Sequence, residues 1–222
     1  MSEEKKETGK TRKTEIVNDR RSVLYEVIRG ISIALFHTLM PVKFYHRERV
    51  TGQETPYLLI SNHQHALDPV VLALMVPKKQ LYFLGKKELA KGPLMQRFFA
   101  NVHCILVDRH NTDLDAMRAC MKVIRQKKGL IIFPEGTRKH EGQMEQIENG
   151  TALIALRSRC PIIPVYIDRK LAFFRLTRVY AGEPIPWEDL AAEGINAETC
   201  ERMNDRFREI YREMVREHPQ RS

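Results

Sequence analysis

Apolar and polar positions alternate along this 222-residue chain between short apolar runs and longer stripes of helical period. Residues 1–21 carry almost no apolar side chains and alternate in sign, which predicts a disordered, charged lead-in. From Ser22 onward, Leu24, Ile28, Ile31, Leu35 and Leu39 recur at helical spacing until Pro41 ends the pattern. Short apolar runs predict strands at Val42–Tyr45, Tyr57–Ile60, Leu81–Leu84, Cys104–Val107, Leu130–Phe133, Ile162–Ile167 and Val179–Gly182. Pro164 lies inside the sixth of these, which argues for an edge strand or an irregular ladder there.

Helices are predicted between the runs. One opens at Asp68-Pro69, with Asp68 as N-cap, and continues to Met75. A second carries Leu114, Met117, Met121 and Ile124, with Thr112 as its cap and Gly129 placed for a left-handed C-terminus. Thr151–Arg157 reads as a third, and Met203, Phe207, Ile210, Tyr211 and Met214 mark a C-terminal cover helix. This succession of strand, helix and strand predicts an α/β protein, with a largely parallel or mixed sheet flanked by helices over residues 46–222. Ahead of it, the uncharged stretch runs only from Gly30 to Val42, short of the roughly 20 residues that span a bilayer. Residues 22–45 are therefore read as a helix at a membrane interface, with packing on a core as the other solution.

Composition narrows the partners. A formal charge of +9 and a pI near 9.5 call for an anionic one: nucleic acid, an acidic membrane surface, a phosphorylated small molecule or an acidic carrier protein. Cys104, Cys120, Cys160 and Cys200 are widely spaced with no C-x-x-C pair, so reduced thiols in a cytosol-facing protein are expected. The N-terminus, Met-Ser-Glu-Glu-Lys-Lys, lacks the apolar core of a secretory signal.

Two strand ends carry candidate chemistry. After Tyr57–Ile60 comes Ser61-Asn62-His63-Gln64-His65-Ala66-Leu67-Asp68. On one continuous helix, residues five apart point about 140° away from each other, but a loop can fold His63 back onto an aspartate at a helix start. That pairing is the base and its orienting carboxylate from a Ser-His-Asp triad, with the hydroxyl left for a substrate to supply. The plain alternative is a polar corner with Asp68 as a cap. After Leu130–Phe133 comes Pro134-Glu135-Gly136-Thr137-Arg138, where Gly136 permits close backbone approach and Arg138 offers a planar fork of donors suited to phosphate. It is otherwise an ordinary turn.

Together these blocks resemble the glycerolipid acyltransferases of the 1-acyl-sn-glycerol-3-phosphate acyltransferase (lysophosphatidic acid acyltransferase) type. Asn62-His63 and Asp68 match the family's N-H-x-x-x-x-D block, and Phe133 to Arg138 match F-P-E-G-T-R without change. Arg109 after Ile105-Leu106-Val107-Asp108, the Lys86–Leu89 turn and the Pro164 strand also correspond. The resemblance implies a glycerolipid acyltransferase-like sheet and direct acyl transfer, with His63 and Asp68 catalytic. It further implies acceptor binding by Arg109, Glu135, Gly136, Thr137 and Arg138, and neither metal nor cofactor beyond acyl-CoA or acyl carrier protein as co-substrate. Lysophosphatidic acid and a membrane phospholipid surface become the expected partners, with peripheral or monotopic attachment at the cytoplasmic face. His65, His103 and Leu106 depart from the family, at positions where it often has a small residue, a glycine, and an aromatic residue or proline.

Two other classes compete. His63, His65 and Asp68 read as H-x-H-x-x-D, which suits a zinc-dependent hydrolase, but Pro69 stands where the metallo-hydrolase pattern continues with histidine and no further ligand cluster follows. A basic binding module would explain the charge alone, but sparse aromatic interleaving argues against nucleic acid.

Overall fold

The computed structural model describes residues 22–54, 56–77, 79–107, 114–136, 144–148 and 150–219. The charged lead-in (residues 1–21), Arg109, Thr112, Thr137 and Arg138 lie outside the described residues. In chain order the elements are α1 (Val23–Thr38), β1 (Val42–Tyr45), α2 (Glu48–Thr51), β2 (Tyr57–Ser61), α3 (Asp68–Met75) and β3 (Tyr82–Lys86). A 3-10 turn (Lys87–Leu89), α4 (Gly92–Asn101), β4 (Cys104–Val107), α5 (Leu114–Arg125), β5 (Gly129–Ile132) and α6 (Gly150–Ser158) follow. The chain closes with β6 (Ile162–Ile167), β7 (Thr177–Ala181), α7 (Glu188–Ala192) and α8 (Ala197–Glu217).

The strands form one seven-stranded sheet in the order β1-β7-β6-β2-β5-β3-β4. Only β6 and β7 pair antiparallel, so the sheet is mixed and largely parallel, with helices on both faces. Every residue of β2, β5 and β6 is buried, as expected for strands covered on both sides. Leu58 and Ile60 point into one core with Val123 of α5, Leu156 of α6 and Phe207 of α8. Tyr57 and Leu59 point into the other, with Phe36 of α1 and Val71 and Met75 of α3.

The Pro164 strand is not at an edge: β6 lies between β2 and β7. A residue's N–H and C=O point to the same side of a strand, and the Pro164 carbonyl accepts the Gly182 N–H at 2.8 Å, one residue beyond the end of β7. The missing donor thus falls at the last rung of the β6–β7 ladder. Toward β2 the ladder is irregular, and the hydroxyl of buried Tyr211 fills it. It accepts the Val165 N–H at 3.2 Å and shares its own proton between the carbonyls of Ile60 and Val165.

Other local expectations shift for physical reasons. The sheet already begins at Val42, since α1 ends at Thr38 and Val42–Tyr45 pairs with Thr177–Tyr180. Lys127, not Gly129, takes the left-handed conformation after α5, at φ 55°. Gly129 instead opens β5, where a Cβ would lie 2.6 Å from Leu81 Cδ2. Residues 92–101, where the sequence reading predicts no helix, form α4, for which Pro93 in the first turn is the available signal.

Helix α1 uses two faces. Tyr25, Ser32 and Phe36 are buried, whereas Val23, Val27 and Ile31 form an exposed apolar stripe. Its start is tied to β3, because Gln80 bonds Ser22 and Glu26 while the Tyr25 hydroxyl accepts the Leu81 N–H at 3.0 Å. Among the described residues no helix is long and apolar enough to cross a membrane.

Candidate active site

The loop after β2 is shaped by side chains that act as backbone. Asn62 extends β2's pairing beyond Ser61: its Nδ2 donates to the Ile167 carbonyl at 2.9 Å and its Oδ1 accepts the Ile167 N–H at 2.8 Å. Gln64 Nε2 donates to the same carbonyl at 2.9 Å. Both amides are buried, so the loop is pinned to β6 on either side of His63.

Asp68 closes the loop. The N-cap of α3 is Leu67, one residue earlier than the sequence suggests, so Asp68 is the first helical residue and its carboxylate turns back toward the loop. Its Oδ2 accepts the N–H groups of Gln64 and His65, both at 2.7 Å, and lies 2.9 Å from His63 Nδ1. The carboxylate is fully buried, and Oδ1 has no partner among the described residues. A buried anion held by neutral amides stabilises a positive charge on the neighbouring ring. Pairing at Nδ1 leaves Nε2 as the ring nitrogen for chemistry.

The turn after β5 supports the same histidine. Phe133 stacks on the His63 ring with centroids 4.3 Å apart. Glu135 is buried and its Oε2 accepts the His63 N–H at 3.2 Å, which joins the two sequence blocks directly. Gly136 has φ +63°, and a Cβ there would lie 2.5 Å from Glu148 Oε1. Of the residues expected at the site, the structure thus brings His63, Asp68, Glu135 and Gly136 together at the carboxyl ends of β2 and β5.

His65 Nδ1 accepts the Leu67 N–H at 3.2 Å, while His63 Nδ1 is engaged with Asp68. Among the described residues no group of three His, Cys, Asp or Glu side chains could hold a metal ion.

His63 and Gly136 line one end of a cavity of about 540 Å³. It runs between α1, α3 and α4 over β3, and its walls include Ala66, Val70, Phe83, Phe98 and Phe99. The His103 ring lies behind this wall, stacked against Tyr25 and Tyr82 at 5.2 and 4.5 Å. Its φ of 62° lies in the left-handed region that glycine favours. Cys104 also lines the cavity, and burial pushes its thiol pKa up to about 12. The roles of Asn62, Gln64 and Phe133 are not marked by residue type alone. The nearest signal is their placement at the ends of apolar runs.

The comparisons agree with this geometry. The chain is 28% identical over 155 residues to the 1-acyl-sn-glycerol-3-phosphate acyltransferase of Streptococcus pneumoniae, covering 69% of this chain and 56% of that one. It thus spans little more than half of that relative's length. The enzyme of the same name from Limnanthes douglasii is 28% identical over 199 residues, with 87% and 68% covered, and that of Bacillus subtilis 25% over 178 residues, with 76% and 87% covered. The crystal structure of the 1-acyl-sn-glycerophosphate (LPA) acyltransferase PlsC from Thermotoga maritima superposes with a TM-score of 0.66 at 20% identity, over 89% of this chain and 79% of that one, which shows a shared fold. The family profile described as Acyltransferase matches residues 41–168, from the residue before β1 through the end of β6 and thus across every strand end that carries the site, so the chain belongs to the acyltransferase family.

Proposed function

We propose that this chain moves a fatty acyl group from a thioester donor, acyl-CoA or acyl carrier protein, to the free hydroxyl of 1-acyl-sn-glycerol-3-phosphate, giving phosphatidic acid. The observation that carries the reading is the His63–Asp68 pair at the end of an apolar cavity. His63 Nε2 accepts the proton of the acceptor hydroxyl as its oxygen attacks the thioester carbonyl. The carbon–oxygen ester bond forms, the carbon–sulfur bond breaks, and the imidazolium returns the proton to the departing thiolate. The carboxylate of Asp68 compensates the charge on the ring during that interval. No acyl group is attached to the protein.

Arg109, Thr137 and Arg138 bind the acceptor's phosphate in this proposal, beside Glu135 and Gly136. The apolar cavity takes up the acyl chain, and α1 rests its Val23–Val27–Ile31 stripe on the cytoplasmic face of a membrane as a peripheral attachment.

The test is acyl transfer in mixed micelles from a long-chain acyl-CoA, and separately from acyl carrier protein, to 1-acyl-glycerol-3-phosphate. Phosphatidic acid made by the native chain and abolished in His63→Ala is the expected result. Product with only another lysophospholipid acceptor would correct the substrate, and activity surviving in His63→Ala would overturn the mechanism.

A further inference from the structure

We infer that α4 is a second membrane-docking element, seated on an anionic phospholipid surface beside α1, with the lipid-chain cavity opening between the two. This rests on the proposed reading of the cavity and of α1, and extends the contact surface to a helix with a different place in the fold. Helix α4 has no buried residue. Leu94 is 80% exposed, Met95 and Phe98 are exposed with it, and Leu89 of the preceding 3-10 turn is 52% exposed. Leu94 and Phe98 are four residues apart and share one side of the helix. Such a run of large apolar side chains in water is unfavourable unless something apolar covers it.

Three observations favour a lipid surface as the cover. Helix α4 is a roof over the cavity, since Leu89, Phe98, Phe99 and Val102 line it from above. Its apolar surface is therefore continuous from the outside of the protein to the space beside His63. The exposed groups around it are cationic: residues 82–101 contain Lys86, Lys87, Lys91 and Arg97 against the single acid Glu88, and those four cations are exposed. A cationic collar around apolar side chains suits anionic head groups over acyl chains. Finally, Tyr25, Ile28 and Arg29 of α1 line the same cavity, so α1 and α4 border it together on one face of the sheet, each with exposed apolar side chains of its own.

The segments outside the described residues are poor in apolar side chains. Residues 1–21 hold Met1, Ile16 and Val17 as their apolar side chains, and residues 108–113 and 137–143 hold none. In this arrangement a lysolipid passes from the bilayer into the cavity by lateral movement, without exposing its chain to water.

The test uses the full chain and vesicles of phosphatidylcholine and phosphatidylglycerol, with neither donor nor acceptor present. Leu94→Glu combined with Met95→Glu, both outside the cavity wall, should weaken co-sedimentation roughly ten-fold or more, comparable to Val27→Glu on α1. Native binding should also weaken when phosphatidylglycerol is omitted. Binding unchanged in the α4 variant, with Val27→Glu alone losing it, would overturn the inference. So would a native dimer that the α4 variant turns into a monomer in light scattering.

An environment-sensitive dye on Leu94→Cys gives a second readout free of the charge change. A blue shift on adding vesicles, absent from the labelled native chain, is expected, and an unshifted spectrum would count against the contact. Because no acyl transfer is measured, these results stand or fall apart from the proposed reaction.

Discussion

The side chain of Asn62 pairs with the backbone of Ile167 as another strand residue would, donating to its carbonyl and accepting from its N–H. The catalytic candidate follows one residue later, so this clamp sets where the loop leaves the sheet. Asn62→Ala leaves the Ile167 N–H buried without its partner, while the carbonyl keeps Gln64, and a loss of about 1–3 kcal/mol in urea unfolding is expected. Acyl transfer should fall with it, because His63 loses its anchor. Undiminished stability would mean the clamp is redundant with Gln64.

Asp68→Asn keeps the shape of the carboxylate and removes its charge. The amide can still accept the two loop N–H groups, so folding should survive, with a cost of about 1–3 kcal/mol. Turnover should drop by about 100-fold or more, because the ring's positive charge loses its compensating carboxylate. A kcat within a few-fold of native would reduce Asp68 to a loop-closing role.

Gly136→Ala meets two obstacles at once. The left-handed backbone costs about 1–2 kcal/mol for an alanine, and the new Cβ would collide with Glu148, whose oxygen lies 2.5 Å away. The double variant with Glu148→Ala should recover the part of stability lost to the collision but not the backbone part. Full recovery in chemical denaturation would show that the conformation at 136 is not strained.

His218 gives the protein a pH-sensitive contact far from the site. Its ring stacks on Tyr180 with centroids 3.8 Å apart, and burial lowers its pKa from 6.5, opposed in part by the Glu217 carboxylate and aided slightly by His46. Below pH 6.5 the unfolded chain therefore takes up the proton more readily than the folded one, and stability falls as pH falls through that value. His218→Phe removes this component. The drop in Tm between about pH 7.5 and 5.5 should be smaller in the variant than in the native chain; equal drops would assign the acid sensitivity elsewhere.

Much of this architecture could be read from side-chain pattern because the buried strands are short, apolar and β-branched, and their order along the chain repeats one unit. The pairing of His63 with Asp68 was legible because the two stand at a spacing that only a folded-back loop can use. Pattern could not show what fills a ladder. Pro164 interrupts a central strand, but the groups that complete the pairing around it, Gly182 toward β7 and the Tyr211 hydroxyl beside Val165, are not near it in sequence. It also could not separate a cap from an orienting carboxylate at Asp68, since both use the same residue at a helix start. Helix α4 escaped because its apolar residues face solvent and the cavity instead of forming a core stripe.

The Tyr211 hydroxyl has a consequence for synthesis. It contacts the Ile60 carbonyl across 151 positions of sequence, and β1 reaches its partner β7 only after the intervening strands exist. While the chain emerges N-terminus first, the Val165 N–H and the Ile60 carbonyl in the β2–β6 seam lack this partner until α8 has left the ribosome. The hydrogen bonding of this seam is thus completed from the last helix, and a chain shortened before α8 would leave those two buried backbone groups short of a partner.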